Sequence, residues 1–415
     1  MRGVRHSLQP LNRVDWQQGP GSAWQNHPVG AAYETNVSSD VKYFTVSGTS
    51  LQNSGYYGAA TLYKTTITDE DGHATTEYKD KLGQVIMRRA YNLPGGNHDT
   101  YYVYNDLGQL SFVLPPLAAD AFGSTDAINK YGYVYRYDAR ANCTYKKLPG
   151  CEPITMTYYS DDLLMTSQDG NQLAKNESLY YEYDNLRRLI RTSLVSNSET
   201  VVLTENYYDN YNFIGSLTAL NFVIKDGYDG QHPSAKGLMT GTRVRILDNT
   251  NRYLITVNYY DHKGQLVQSR STNHLDGYDF VYNAYDFTGH VTKTLKVHSI
   301  PGQTIINELY DYTYDHAGRL LKTKYKINDK PEIVLNDMTE SGAYDELGRL
   351  RKKKRHSDAD SEEYDYNIRN WAERIKSGTF EEKLYYSTNV PENGIACYNG
   401  NIASNTWTYN GQTNG

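Results

Sequence analysis

One short phrase recurs along this chain: an aromatic alternation followed by a turn. Tyr312-Thr313-Tyr314-Asp315-His316-Ala317-Gly318-Arg319-Leu320 shows it in full, and Tyr181-Glu182-Tyr183-Asp184-Asn185-Leu186-Arg187-Arg188-Leu189 is a second copy. Tyr344-Asp345-Glu346-Leu347-Gly348-Arg349-Leu350 is a third. The shared unit is Tyr-x-Tyr-Asp-x-x-Gly-Arg/Gln-Leu. A repeat this short constrains the fold more than any other sequence signal. Each copy is a supersecondary unit too small to bury its own apolar face, so the copies must stack in an array.

Residues two apart in a strand share a face, which places Tyr312 with Tyr314, Tyr102 with Tyr104, and Tyr133 with Tyr135 and Tyr137. Asp bonds backbone amides two residues on and starts a turn. A glycine three residues after Asp suits a loop position with positive φ. Leu320, Leu350, Leu266 and Val291 then reopen an apolar face on the return strand. Each copy reads as a β-hairpin with an aromatic face, and a lone hairpin is marginal in water. Tyrosine suits the covering role, because its ring buries a large area while its hydroxyl finds a partner or stays wet.

Further copies follow the same pattern. They run through Tyr78 and Gly83, Tyr104 and Gly108, Tyr260, Asp261 and Gly264, and Tyr285, Asp286 and Gly289. Tyr137 and Asp138 form a degenerate copy without glycine, Tyr208-Asp209-Asn210 a partial one, and Tyr366-Asn367-Ile368-Arg369-Asn370-Trp371 a divergent last member. With Tyr183 and Asp184, Tyr314, Asp315 and Gly318, and Tyr344, Asp345 and Gly348, these residues define the repeat. Thr65 to His73 adds a hairpin through the turn signal Asp71-Gly72.

Composition agrees. The chain has 415 residues, 41 Tyr against 8 Phe, and only 38% hydrophobic residues with Tyr included, so without a tyrosine-lined interior there is little to bury. A net charge of −6 spread along the chain argues against a nucleic-acid partner. No apolar run is long enough to span a membrane, and the first residues lack the apolar stretch of a signal peptide. Cys143, Cys151 and Cys397 form no metal pattern; a Cys143–Cys151 bridge across a hairpin is allowed by spacing, but free thiols are the expectation.

The residues divide into a loop-rich lead-in over 1–60 with one candidate strand at Val41 to Val46, a hairpin array over 61–388, and a frayed, polar tail over 389–415. Trp16 and Trp24 are expected to anchor the lead-in. Pro115 to Asp120 reads as a loop or short helix, Gly227 to Gly241 as a loop, and Thr406-Trp407-Thr408-Tyr409 as a strand within the tail.

Catalytic patterns are absent from the sequence. No histidine is followed by Glu, which excludes a zinc-protease helix, and there is no nucleophile elbow or phosphate loop. Asp69-Glu70-Asp71-Gly72 hints at calcium, but the later ligand positions are wrong and turn chemistry accounts for it. Glu362-Glu363 and Glu381-Glu382 are sequence neighbours, so in strands they face opposite ways and make poor glycosidase pairs. Arg349 to His356 is the densest basic run, read as a solvated, aggregation-resistant edge in preference to a polyanion site.

These motifs resemble the YD-repeat (Rhs-type) family of bacterial proteins, named for the Tyr-Asp pair. Leu11-Asn12-Arg13-Val14, Lys147-Leu148-Pro149-Gly150, Ser167 to Gln172, Tyr366-Asn367-Ile368-Arg369 and Tyr398-Asn399-Gly400-Asn401-Ile402 resemble its Bacteroidetes branch. The resemblance implies a hairpin strip wound into a hollow shell around a C-terminal toxic cargo. It also implies a secreted or surface-exposed parent protein. No Asp-Pro dipeptide occurs, so the family's autoproteolytic segment is missing, and this chain is expected to be a fragment without the C-terminal core and toxin.

The expected fold is all-β, a repetitive β-hairpin array forming an open, curved strip or partial hollow shell. The expected function is a non-catalytic structural scaffold, with no cofactor and no metal. Its partners would be the remainder of the parent shell and its cargo. The alternative is a module binding cell-surface glycan through Tyr and Trp faces, and a carbohydrate hydrolase is the outsider.

Overall fold

The computed structural model describes residues 3–6, 13–93, 96–197, 199–248, 250–356, 360–391 and 394–414. Leu11 and Asn12, cited above, lie outside these. Strands take up 52% of the chain and helices 7%, in an antiparallel hairpin strip not closed into a barrel.

The chain divides into two compact units. Unit 1 is Met1–Tyr180 with Val195–Glu199 and Tyr385–Ser404; unit 2 is Tyr181–Leu194, Thr200–Leu384 and Asn405–Gly415. Within unit 1 the strands pair in chain order, from Gly3–His6, Val14–Gln18 and Val29–Thr35 to Tyr63–Thr68, Ala74–Lys79, Val85–Leu93, Gly96–Tyr104 and Leu110–Leu114. The same meander continues through Tyr133–Tyr137, Cys143–Lys147, Ile154–Tyr158 and Leu164–Gln168. Unit 2 repeats the logic from Thr200–Asp209 through Ala235–Arg245, Tyr253–Tyr260 and Leu266–Thr272, and on to Phe380–Tyr385.

The hairpin through Asp71-Gly72 forms as expected, joining Tyr63–Thr68 to Ala74–Lys79. The lead-in differs from expectation. Gly3–His6, Val14–Gln18, Val29–Thr35, Lys42–Ser47 and Ser50–Tyr56 are strands, where the sequence indicated one. The reason is non-local: Val29–Thr35 finds its partner in Tyr63–Thr68, beyond the inserted hairpin Lys42–Ser47/Ser50–Tyr56. Trp24 is 6% exposed.

Three insertions decide where an apolar core forms. The hairpin Lys42–Ser47/Ser50–Tyr56 and the helices Pro116–Asp120 and Thr125–Tyr131 cover one sheet face in unit 1. Phe44 of that hairpin and Ala118 and Ala119 of the first helix join Val41, Leu62, Tyr78, Met87, Tyr101, Val103 and Leu114 in one buried cluster. In unit 2 the 3-10 turns Asn212–Ile214 and Thr218–Leu220 cover Val257, Tyr259 and Val267. Tyrosine is therefore not the sole apolar resource; aliphatic side chains gather wherever an insertion shields the sheet.

The expected loop over Gly227 to Gly241 ends at Ser234. Ala235–Arg245 is an eleven-residue strand with bulges opposite Tyr208 and Asp209, and Gly237 at φ 83 absorbs the bend. Gly241 sits where a Cβ would meet the Phe213 ring at 2.3 Å. The tail is not frayed over its described residues: Ser404–Tyr409 and Gln412–Asn414 pair as a hairpin.

Candidate functional site

The candidate site is the repeat itself, built from one turn used many times. At Asp315 the backbone N–H donates to the Arg319 carbonyl (2.9 Å), and the Gly318 N–H donates back to the Asp315 carbonyl (3.0 Å). Asp315 Oδ1 accepts from the N–H groups of Ala317 and Arg319, both at 2.9 Å. Gly318 takes φ 77. This is a type I turn closed by a left-handed residue, and a register shift follows between Thr313 and Tyr314. Asp80, Asn105, Asp138, Asp184, Asp261, Asp286, Asp345 and Asn367 each repeat the two side-chain bonds. The left-handed residue is Gly83, Gly108, Gly264, Gly289 or Gly348, but Ala141, Arg187 and Asn370 take the same φ without being glycine. The degenerate copy at Tyr137 and Asp138 thus closes like the others.

Replacing Gly318 by valine is expected to cost about 1–2 kcal/mol through positive-φ strain. A new Cβ there also meets His290 Nε2 at 2.8 Å. Urea melts of the variant check this; an unchanged midpoint would contradict the turn geometry.

The tyrosine before each turn joins its hairpin to the preceding one. Its hydroxyl donates to a backbone carbonyl of the preceding hairpin, in most copies that of the residue that opens its return strand. The pairs are Tyr104 to Val85 (3.2 Å), Tyr137 to Leu110 (2.9 Å), Tyr260 to Met239 (2.7 Å), Tyr285 to Leu266 (2.8 Å), Tyr314 to Val291 (2.9 Å), Tyr344 to Leu320 (2.8 Å) and Tyr366 to Leu350 (2.9 Å). Tyr183 holds the same position before Asp184 and is partly buried. Burial raises the phenol pKa at Tyr104, Tyr137, Tyr260, Tyr285, Tyr314 and Tyr344, so each hydroxyl keeps its donor proton.

Tyr78 departs from this role. It stands two residues before Asp80, not one, so it projects to the opposite face. There it is fully buried, and its hydroxyl donates to Asp40 Oδ2 at 2.7 Å. Tyr259, at the equivalent offset from Asp261, is 2% exposed.

The residue after the left-handed position carries a role the sequence reading did not assign. Arg319 Nε donates to Asp315 Oδ2 (2.7 Å), and its guanidinium lies 4.7 Å from the centre of the next tyrosine ring, Tyr344. Arg349 repeats this with Asp345 (2.6 Å) and Tyr366 (4.9 Å). Arg188 binds Asp184 (2.7 Å) and Asp209 (2.5 Å) and covers Tyr208 at 4.3 Å. His290 stacks on Tyr314 at 4.8 Å, and Gln84 Nε2 donates to the Gly108 carbonyl at 3.2 Å. Cation–π contact adds roughly 0.5–1 kcal/mol at such exposed sites. The signal was available: this position holds a long polar side chain in copy after copy.

The same contacts hold the turn carboxylates as anions. The Arg319 N–H, with its guanidinium and the Ala317 N–H, keeps Asp315 below the ordinary carboxyl range. Asp209 is lowered to about 2, first by the Arg188 guanidinium and then by the Gly237 N–H. Asp286 is lowered to about 2, chiefly by the Thr288 hydroxyl and the N–H of His290. A carboxyl with a depressed folded pKa stabilises the fold above its unfolded value near 3.9, and that stabilisation disappears as pH falls through the folded value. The melting temperature is therefore expected to hold down to about pH 5 and to fall between about pH 4 and pH 2. Thermal melts by circular dichroism check this, and a flat profile down to pH 2 would refute it.

Other sequence candidates are accounted for by local bonding. Asp69, Asp71 and His73 converge, but Asp69 Oδ1 accepts the turn N–H groups of Asp71 and His73, and Asp71 accepts the N–H groups of Tyr398 and Asn399. In the basic run, Lys352 and Lys354 pair with Glu340, while Lys353 and Arg355 pair with Glu362. Two carboxylates against four cations thus compensate the run in part. Glu363 faces Arg374 at 3.6 Å. Cys143, Cys151 and Cys397 are free thiols. Among the described residues, no helix is long and apolar enough to cross a membrane.

No family model matches the chain, and no curated protein sequence matches it. Solved structures described as TcdB2-TccC3-TEV, TcdB2-TccC3 without hypervariable C-terminal region, and TcdB2-TccC3-Cdc42 are similar to it. Identity is 12% in each, and the TM-scores are 0.37, 0.40 and 0.37. They match 99%, 98% and 97% of this chain but 24%, 21% and 22% of their own. This chain therefore spans less than a quarter of their length. Likeness at this level carries no functional argument.

Proposed function

We propose that this chain is a non-catalytic scaffold segment of a Rhs-type, YD-repeat protein that is secreted or surface-exposed. Its partners are the remaining hairpins of a larger shell and the cargo they surround. The observation carrying this reading is the use of the motif residues. Tyrosine joins each hairpin to the one before it, Asp makes the turn, and the following Arg or His binds that Asp and covers the next tyrosine. The conspicuous polar residues are thus consumed in building the array, and their lowered carboxyl pKa values leave no proton for general-acid work at neutral pH.

Glycan contact is a second reading, supported by one local feature. Phe380, Trp407 and Tyr409 are 36%, 39% and 55% exposed, and the Phe380 and Trp407 rings lie 6.4 Å apart. A glycan array separates the readings. The scaffold reading expects no saccharide signal that a Trp407→Ala change removes, together with a loss of about 1 kcal/mol of stability in Tyr314→Phe. Saccharide binding abolished by Trp407→Ala, with Tyr314→Phe neutral, would favour the glycan reading instead. Glycoside turnover abolished by one Asp or Glu change would overturn both.

A further inference from the structure

We propose that residues 395–403 form a strap within unit 1, clasped to its N-terminal hairpins at Tyr398 and Asn399, that opens while the hairpins beneath it stay folded. The run contains no strand or helix, and Ile395 and Ile402 at its two ends are 84% and 54% exposed. Its hold on the hairpins is concentrated on two residues. The Tyr398 ring stacks flat on His27, with centroids 3.4 Å apart and planes 12° apart, and meets the Trp24 ring edge-on at 5.5 Å. Trp24 Nε1 donates to the Tyr398 carbonyl (3.1 Å), and His27 is itself fixed by its Nδ1–H to the Glu70 carbonyl (2.9 Å).

The polar half of the clasp is a pair of carboxylates. Asp71 accepts the Tyr398 N–H on Oδ1 (2.6 Å) and the Asn399 N–H on Oδ2 (3.3 Å), and Asp69 Oδ2 accepts from Asn399 Nδ2 (3.0 Å). The clasp thus combines one flat ring, two successive backbone N–H groups, the Asn399 side-chain amide and the Tyr398 carbonyl. It holds a bent Tyr-Asn segment, and the occupant is this chain's own. Cys397 and Ala403 flank the clasp with N–H bonds to the carbonyls of Tyr386 and Tyr385, at the end of the strand Phe380–Tyr385, and tether the two ends of the strap there. Between those tethers the clasp is the contact that seats the strap on the N-terminal hairpins, and a segment held by a few such contacts opens more readily than a ladder bonded along its length. Opening exposes Trp24, His27, Asp69 and Asp71 as a recess with an aromatic wall and an anionic floor.

Hydrogen exchange on the full chain tests this. The amides of 395–403 should exchange about tenfold or more faster than those of Ala74–Lys79, with little dependence on low urea. Tyr398→Ala should speed exchange in 395–403 and leave Ala74–Lys79 unchanged. Exchange of both regions at one rate, with one urea dependence, would overturn the proposal. So would a Tyr398→Ala variant that loses protection in both. If that variant does not fold, the urea dependence of the unaltered chain decides alone.

Discussion

Replacing Tyr78 by alanine is expected to lower the stability of unit 1 by about 3–5 kcal/mol, the range for emptying a large buried aromatic site. Tyr78 has no exposed surface, and it packs in the cluster with Met87, Tyr101, Val103 and Leu114. Its hydroxyl ends on Asp40, and burial drives the phenol pKa strongly upward, so it remains a donor. Tyr78→Phe keeps the ring and loses only that bond, which costs about 1 kcal/mol. Urea unfolding followed by tryptophan fluorescence in a Trp371→Phe, Trp407→Phe background reads unit 1, because the remaining Trp16 and Trp24 lie within it. A loss below about 1 kcal/mol in the alanine variant would mean the site collapses freely and is not a packed core.

Arg89→Met should be of similar size, about 3–5 kcal/mol, for a different reason. Arg89 donates to both Asp99 oxygens (2.7 and 2.8 Å) and to Asp40 Oδ1 (2.8 Å). Its side chain is 15% exposed, and those of Asp40 and Asp99 are 14% and 22% exposed. Removing the cation leaves two poorly solvated carboxylates facing each other, one of them also holding Tyr78. The penalty belongs to the orphaned anions, so adding Asp99→Asn to Arg89→Met should recover part of the loss. Identical urea midpoints for the single and double variants would show that the network carries no such strain.

Both sites sit under insertions, and neither role was legible in the sequence. The sequence pattern groups Tyr78 with the repeat because a tyrosine precedes a turn there. A one-residue offset from Asp80 moves it to the other face, since strand side chains alternate strictly. Asp40 and Arg89 belong to no motif, and their meeting depends on the hairpin Lys42–Ser47/Ser50–Tyr56 folding over the sheet. The clasp at Tyr398 joins residues more than 300 positions apart, as the Asp71 bond does at a separation of 327. No periodicity reports such a contact.

The repeated turn is the opposite case. Asp, two loop residues and glycine specify their own geometry through bonds spanning four residues, so Asp315 and Gly318 announce a turn wherever the chain places them. Strand alternation is equally local, and together these determined an antiparallel hairpin array from the sequence alone. Which face became a core, which arginine met which carboxylate, and where the C-terminal segment came to rest were decided only by the tertiary structure. Those outcomes depend on insertions folding back across the sheet, and a side chain's burial is a property of what covers it, not of its own neighbours in the chain.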